Sequence, residues 1–251
     1  MLRQVAFLAV WLVAVAATFA LLYRRWPPRG SADLRLNTAY WFFNPLVSDV
    51  FSTKAWFLLA AAVPMAICHQ AAAKLAQQQP HWIQWLEMVV VADFMAYWMH
   101  RLLHTPRFWR IHAIHHSTEA LDWSASLRHH PLEAIVVRLG QFTPLYLLGF
   151  DLQMLTILYP WLVAADLFTH SNLSWTYGPL HTVVASPAWH RWHHATDREA
   201  VDKNFGVIFS VWDLWFGTFL RPSSPHPQGF GLASGDSPPL ALGNHLLYPF
   251  Q

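Results

Sequence analysis

The sequence predicts an all-α protein: an integral-membrane helical bundle of about four to five embedded helices, with a cytoplasmic helical cap carrying a set of histidines. Three observations predict it. Hydrophobic residues make up 55% of the 251 and charged residues only 12%, which is too apolar and too charge-poor for an ordinary soluble domain. Uncharged or nearly uncharged apolar runs occupy residues 5–23, 55–68, 82–99, 134–149 and 152–169, each long enough to enter or cross a bilayer. Histidines recur at helical spacing as His100 and His104, then His112, His115 and His116, then His190, His193 and His194.

The first run, 5–23, ends in Tyr23-Arg24-Arg25-Trp26. Its length and its aromatic, basic boundary predict a retained anchor rather than a cleaved signal peptide. Arg24, Arg25, Arg29 and Arg35 place the following loop in the cytoplasm by the positive-inside rule. From there the runs 55–68 and 82–99 go out and back and deliver His100 to the cytoplasmic side. The pair 134–149 and 152–169, joined by Phe150-Asp151, does the same for His170. All three histidine groups then sit at cytoplasmic helix ends. Pro64, Pro144 and Pro160 are positioned to kink their runs, and Asp93 and Asp166, inside two of them, are expected to face the bundle interior.

Residues 101–132 and 186–200, rich in His, Arg and Trp, read as the cap. The Pro-, Gly- and Ser-rich stretch 221–251 reads as irregular. The chain thus divides into membrane helices and linker (1–85), a histidine-bearing domain (86–220) and a tail (221–251). The formal net charge of +2, with scattered basic residues, gives no sign of a nucleic-acid partner. A single cysteine, Cys68, excludes an internal disulfide and a thiolate cluster held by this chain.

Residues three or four apart on a helix share a face, so each histidine group presents several imidazoles in one direction. Eight imidazoles are too many for one metal ion and suit two. Zinc hydrolases place a glutamate between their paired histidines; here the intervening residues are Arg101-Leu102-Leu103, Ala113-Ile114 and Arg191-Trp192. Two iron ions with an open face for dioxygen fit the count better. A metal transporter, a bis-histidine haem protein and a zinc hydrolase remain as alternatives. Transport sites lie at mid-membrane on broken helices, whereas these histidines cluster at helix ends.

The spacing HX3H, HX2HH and a second HX2HH resembles the fatty acid hydroxylase and sterol desaturase superfamily of membrane di-iron enzymes. So do Arg128-His129-His130-Pro131-Leu132-Glu133, the stretch Ser186 to His194, Asp202-Lys203-Asn204-Phe205-Gly206, and Trp212-Asp213 through Thr218. The resemblance implies that His100, His104, His112, His115, His116, His190, His193 and His194 are metal ligands, joined by His130 and by the lone His170. It implies two Fe ions, O2 as co-substrate, a lipid substrate, and a separate electron-donor protein. The implied reaction is hydroxylation or desaturation of a C–H bond. Asp93, Asp166, Asp197, Asp202, Asn204 and Asp213, with Glu119, are candidates to accept the outer nitrogen of bound imidazoles; Arg128 and Glu133 are expected to pair with each other. Trp98, Trp109, Trp123, Trp189 and Trp192 suit an interfacial aromatic belt.

Overall fold

A computed structural model describes residues 32–60, 63–221, 226–232 and 238–251, together with Val13, Ala14 and Ala17. The expected anchor at 5–23 lies almost wholly outside the described residues. Those described are helical or irregular, with one isolated bridge between Ala195 and Phe230.

The chain runs through α1 (Ala32–Phe43), a π turn (Asn44–Ser48), α2 (Asp49–Ala60), α3 (Val63–Ala76) and α4 (His81–Leu103). It continues through α5 (Trp109–His116), a 3-10 turn (Trp123–Leu127), α6 (Pro131–Leu147) and α7 (Leu152–Thr169). Then come α8 (Pro187–His193), α9 (Val211–Phe216) and α10 (Leu242–Leu247). The apolar runs at 82–99, 134–149 and 152–169 become α4, α6 and α7. The run 55–68 instead falls across two helices, with Pro64 in the first turn of α3, where its missing N–H is no loss. α6 and α7 stay helical through Pro144 and Pro160.

No helix among the described residues is long and apolar enough to cross a membrane. α4 has the length, but it carries Gln84, Glu87, Asp93, His100 and Arg101; α7 carries Gln153, Pro160 and Asp166.

Local chemistry sets the helix starts. Asp151 accepts from the Gln153 N–H at 2.6 Å and opens α7. Ser186 accepts from the Trp189 N–H at 3.2 Å ahead of Pro187 and opens α8, an N-cap followed by proline at the first helical position. Between α6 and α7, Gly149 takes φ +89°, and a Cβ there would collide with the backbone of Ala72 and Ala73. Glycine is what lets this turn lie against α3.

α6 packs against α4 and α2, burying Trp56, Met88, Ala92, Phe142, Leu145, Tyr146, Leu155 and Leu158 in one core. A smaller core of Leu36, Tyr40 and Ile114 takes in Leu242 and Tyr248 from the tail. The tail is therefore less irregular than its composition suggests: Leu242 has an apolar surface to dock on, and α10 forms there. His245, on α10, is fully buried beside the Tyr40 ring. Trp123, Trp189 and Trp192 are buried as well, so near the histidines these indoles pack the interior rather than forming a belt.

Arg128 does not pair with Glu133. Its guanidinium is wholly buried and meets Asp33 of α1 at 2.6 Å and Thr118 at 2.8 Å. This ion pair joins α1 to the segment that follows α5.

Candidate metal centre

Helix geometry sorts the histidine rings. α4 carries His100 and ends at His104; α5 carries His112, His115 and His116; α8 carries His190 and His193 and ends at His194. Successive helical residues point about 100° apart and residues four apart share a face. Within the face these residues share, His115 and His116 lean to opposite edges, about 100° apart, and His112 sides with His116. On α8, His190 and His194 face together and His193 diverges from them.

The rings gather into two adjoining groups. In the first, one nitrogen from each of His100, His104, His112, His116 and His193 lies within 4.8 Å of all the others. The second holds His115, His170 and His194 on the same criterion. His170 is its hub: its Nε2 is 3.0 Å from His115 Nε2, 3.1 Å from His194 Nε2 and 3.4 Å from His190 Nε2. The groups touch where the His116 and His194 rings stack at 4.5 Å. Donors about 2.1 Å from a shared ion sit roughly 3 Å from one another, which is the separation found around His170.

The outer nitrogens settle the tautomers. His100 Nδ1–H donates to the Phe205 carbonyl at 2.8 Å and His193 Nδ1–H to the Lys203 carbonyl at 2.7 Å. His115 reaches the Arg128 carbonyl at 3.3 Å and His170 the Asp166 carbonyl at 2.8 Å. A carbonyl only accepts, so the proton is on Nδ1 and the lone pair on Nε2. His112 Nδ1–H donates to Glu133 at 2.9 Å and His104 Nδ1–H to Asp202 at 3.1 Å. In the first group all five Nε2 atoms are buried without a hydrogen-bond partner among the described residues. An unsatisfied buried acceptor costs about 1–3 kcal/mol, and five facing one another make sense only with a cation among them. Imidazole nitrogens suit iron, zinc, copper or nickel, so these residues fit a bound metal.

Burial is the main reason these imidazoles resist protonation, and their neighbours add to it; His100 is held down to about 3, and His112, His115, His116, His190, His193 and His194 well below the ordinary value. The unfolded chain takes up protons near pH 6.5 that the folded chain refuses. Stability of the metal-free protein therefore falls as pH drops from 6.5 toward 3. Denaturant titrations between pH 7.5 and 5 will show the midpoint moving down with pH; a constant midpoint would contradict the buried neutral cluster.

His130 lies outside both groups. Its Nδ1 accepts from the Leu132 N–H at 3.1 Å, capping α6, which leaves Nε2–H to donate to the Leu246 carbonyl at 3.2 Å. With both nitrogens engaged, it has no lone pair to offer. His181 bonds the Gly178 carbonyl and also stands apart.

Of the polar residues expected behind the rings, Asp202 reaches His104, and Asp166 reaches His170 through its carbonyl and, at 3.4 Å, its carboxylate. The others hold backbone. Asp93 accepts from Ile208 N–H at 2.9 Å, Phe209 N–H at 3.0 Å and the Trp212 indole at 2.8 Å. Asp213 accepts from Phe205 and Gly206 N–H, each at 2.8 Å. Asn204 donates to the Trp189 carbonyl at 3.1 Å and accepts from Leu220 N–H at 2.8 Å. Asp197 accepts from Gln228 N–H. Glu119, at the surface, contacts no ring of either group in the bonds described. These clamps fix residues 203–209, whose Lys203 and Phe205 carbonyls orient His193 and His100.

Glu133 is the residue whose role the sequence reading misplaced: expected to pair with Arg128, it accepts from His112 instead. Its place in the first turn of α6, one turn past the cap at His130, was the available signal. Glu133→Gln will weaken metal binding about 10–100-fold, the usual cost of losing an imidazole's outer partner, measurable by competition with a chelator.

A cavity of about 170 Å³ opens beside the rings, bordered by His100, His112, His115, His170 and His190. Ala134, Val137, Phe142, Leu162 and Val163 form much of its apolar wall.

The chain matches the fatty acid hydroxylase family over residues 85–218. It is 33% identical over 207 residues to an ornithine lipid hydroxylase of Rhizobium tropici, a match covering 76% of this chain and 61% of that protein. It is 30% identical over 170 residues to the alkylglycerol monooxygenase of Homo sapiens, covering 65% of this chain and 37% of the relative. It is 28% identical over 152 residues to methylsterol monooxygenase 1 of Gallus gallus, covering 57% and 49%. The matches thus span between about a third and three fifths of these relatives' lengths. No solved structure matches it.

Proposed function

Because the chain belongs to the fatty acid hydroxylase family, we propose that it is a membrane-bound, iron-dependent oxidoreductase that uses dioxygen and electrons from a separate donor protein to hydroxylate or desaturate a lipid. The observation that carries this reading is the pair of adjoining imidazole groups, with unpartnered inward nitrogens, at the edge of an apolar cavity. Relatives named for acting on ornithine lipid, alkylglycerol and methylsterol support a lipid substrate.

In this reading His100, His104, His112, His116 and His193 hold one iron, and His115, His170, His190 and His194 hold the other. With iron bound, the site supplies the activation of dioxygen needed to oxidise a C–H bond. The chain's own part is placement. Carbonyls of Lys203, Phe205, Arg128 and Asp166 keep the proton on the outer nitrogen of their rings; Glu133 and Asp202 accept from two more. Val137, Phe142, Leu162 and Val163 exclude water and align the hydrocarbon.

Phe51, Leu58, Ile67, Trp82 and Trp161 are each more than half exposed on α2, α3, α4 and α7, an apolar surface of the kind that meets lipid. It supports contact with a membrane; the arrangement we propose is a multi-pass protein with its histidines on the cytoplasmic side and residues 86–220 as the di-iron unit. Residues 1–85 would contribute further membrane helices, and 221–251 a tail that closes over α1.

The test is purified protein assayed for iron and, with an added electron-donating system, for oxygen-dependent change in lipid extracts. About two irons per chain and a product gaining one oxygen or losing two hydrogens support the reading; neither iron nor oxygen-dependent product overturns it. Metal uptake into vesicles without lipid oxidation would favour a transporter.

A further inference from the structure

The cavity has two unlike ends. Three helix faces line it: His100 and Leu103 from the end of α4, Glu133 through Phe142 on α6, and Tyr159 through His170 on α7. From Glu133 to Phe142 the rise along α6 is about 13 Å, so Glu133 marks the histidine end and Phe142 the far end. Most polar side chains on the wall are engaged elsewhere. Asp93 holds three donors, Gln141 donates to the Ala92 carbonyl, and the Arg138 guanidinium sits over the Tyr159 ring, 3.9 Å from its centroid.

Apart from histidine ring nitrogens, two polar atoms on this wall, Ser126 Oγ and Glu133 Oε2, are buried and have no hydrogen-bond partner among the described residues. Ser126 is 1% exposed and Glu133 7%. Both border the cavity together with His112 and His115. Leaving them unmatched is costly, and it is unnecessary if the substrate brings the missing partner.

We propose that Ser126 Oγ and Glu133 Oε2 form a subsite for a hydroxyl or amide group of the lipid, so that the carbon oxidised lies within a few bonds of the polar head. This rests on the lipid-oxidising reading above. A hydroxyl both donates and accepts, and so can satisfy both atoms at once. The alkyl chain then runs away from the rings along Val137, Phe142 and Leu162. A site built around a hydrogen bond discriminates strongly against an analogue lacking it, because its own groups are then left unpaired.

The test uses the full chain in detergent with two chain-matched probes: 1-O-hexadecylglycerol, and the same ether with both hydroxyls methylated. Equilibrium titration is expected to show the free-hydroxyl probe binding at least about tenfold tighter, and Ser126→Ala reducing that preference about fivefold while leaving the methylated probe unchanged. Ser126→Cys keeps the volume and serves if the alanine variant fails to accumulate. Equal binding of the two probes, or an undiminished preference in the Ser126 variants, overturns the subsite. With iron-loaded enzyme, mass spectrometry placing the modification far down the alkyl chain also overturns it, and leaves the oxygenase reading intact. Head-selective binding with no oxygen-dependent product from iron-loaded enzyme supplied with an electron-donating system upholds the subsite and removes the oxygenase reading alone.

Discussion

A His170→Ala variant is expected to fold, keep one iron and lose the other, with lipid oxidation falling more than about a hundredfold. Its Nε2 lies within 3.4 Å of His115, His190 and His194, so removing this ring leaves three donors without their common neighbour. Removing an outer partner of a bound histidine costs about 10–100-fold; removing a hub costs more. The fold should survive, because His170 is a nearly unexposed ring whose hydrogen bond to the Asp166 carbonyl is within its own helix turn. The check is iron per chain by elemental analysis, read beside circular dichroism and lipid turnover. Two irons retained, or wild-type turnover with one, would remove His170 from the centre.

Asp93→Ala acts on stability rather than directly on the metal. The carboxylate is 1% exposed and is the acceptor for two backbone N–H groups and the Trp212 indole. Alanine leaves all three donors facing a gap, and the loss is expected to be about 3–5 kcal/mol. The same change loosens residues 207–212, next to the Phe205 carbonyl that orients His100. Iron loading should therefore weaken, by less than in Glu133→Gln. Thermal unfolding in detergent measures the first effect and chelator competition the second. Asp93→Asn keeps one acceptor oxygen and should fall between. An alanine variant as stable as the parent would show that the clamp is not needed.

The parts of this molecule legible in the sequence are those governed by short spacing. The runs at 82–99, 134–149 and 152–169 became helices, and HX3H and HX2HH put their rings on shared faces, because both follow from a 3.6-residue repeat. His170 lies 20 residues from His190 and shares no helix with it, so no spacing rule selects it; only resemblance did. Glu133 and Arg128 sit five apart with opposite charge, and local reasoning pairs them. The fold instead supplies Asp33 from 95 residues away and leaves Glu133 to His112. His130 has the neighbours of a ligand, but helix capping claims its Nδ1, a competition decided by where α6 begins. The carbonyls behind His100, His115, His170 and His193 are invisible in principle, since any residue can provide one.

His115 and His116 are consecutive, as are His193 and His194, yet each couple divides between the two groups. One peptide unit therefore anchors a donor for either side. When an ion draws in one ring of a couple, it also limits the rotation of the backbone carrying the other, which has less freedom left to lose when its own ion arrives. If two irons bind as proposed, occupancy is expected to be cooperative: at limiting iron, empty and doubly filled molecules should outnumber those holding a single ion.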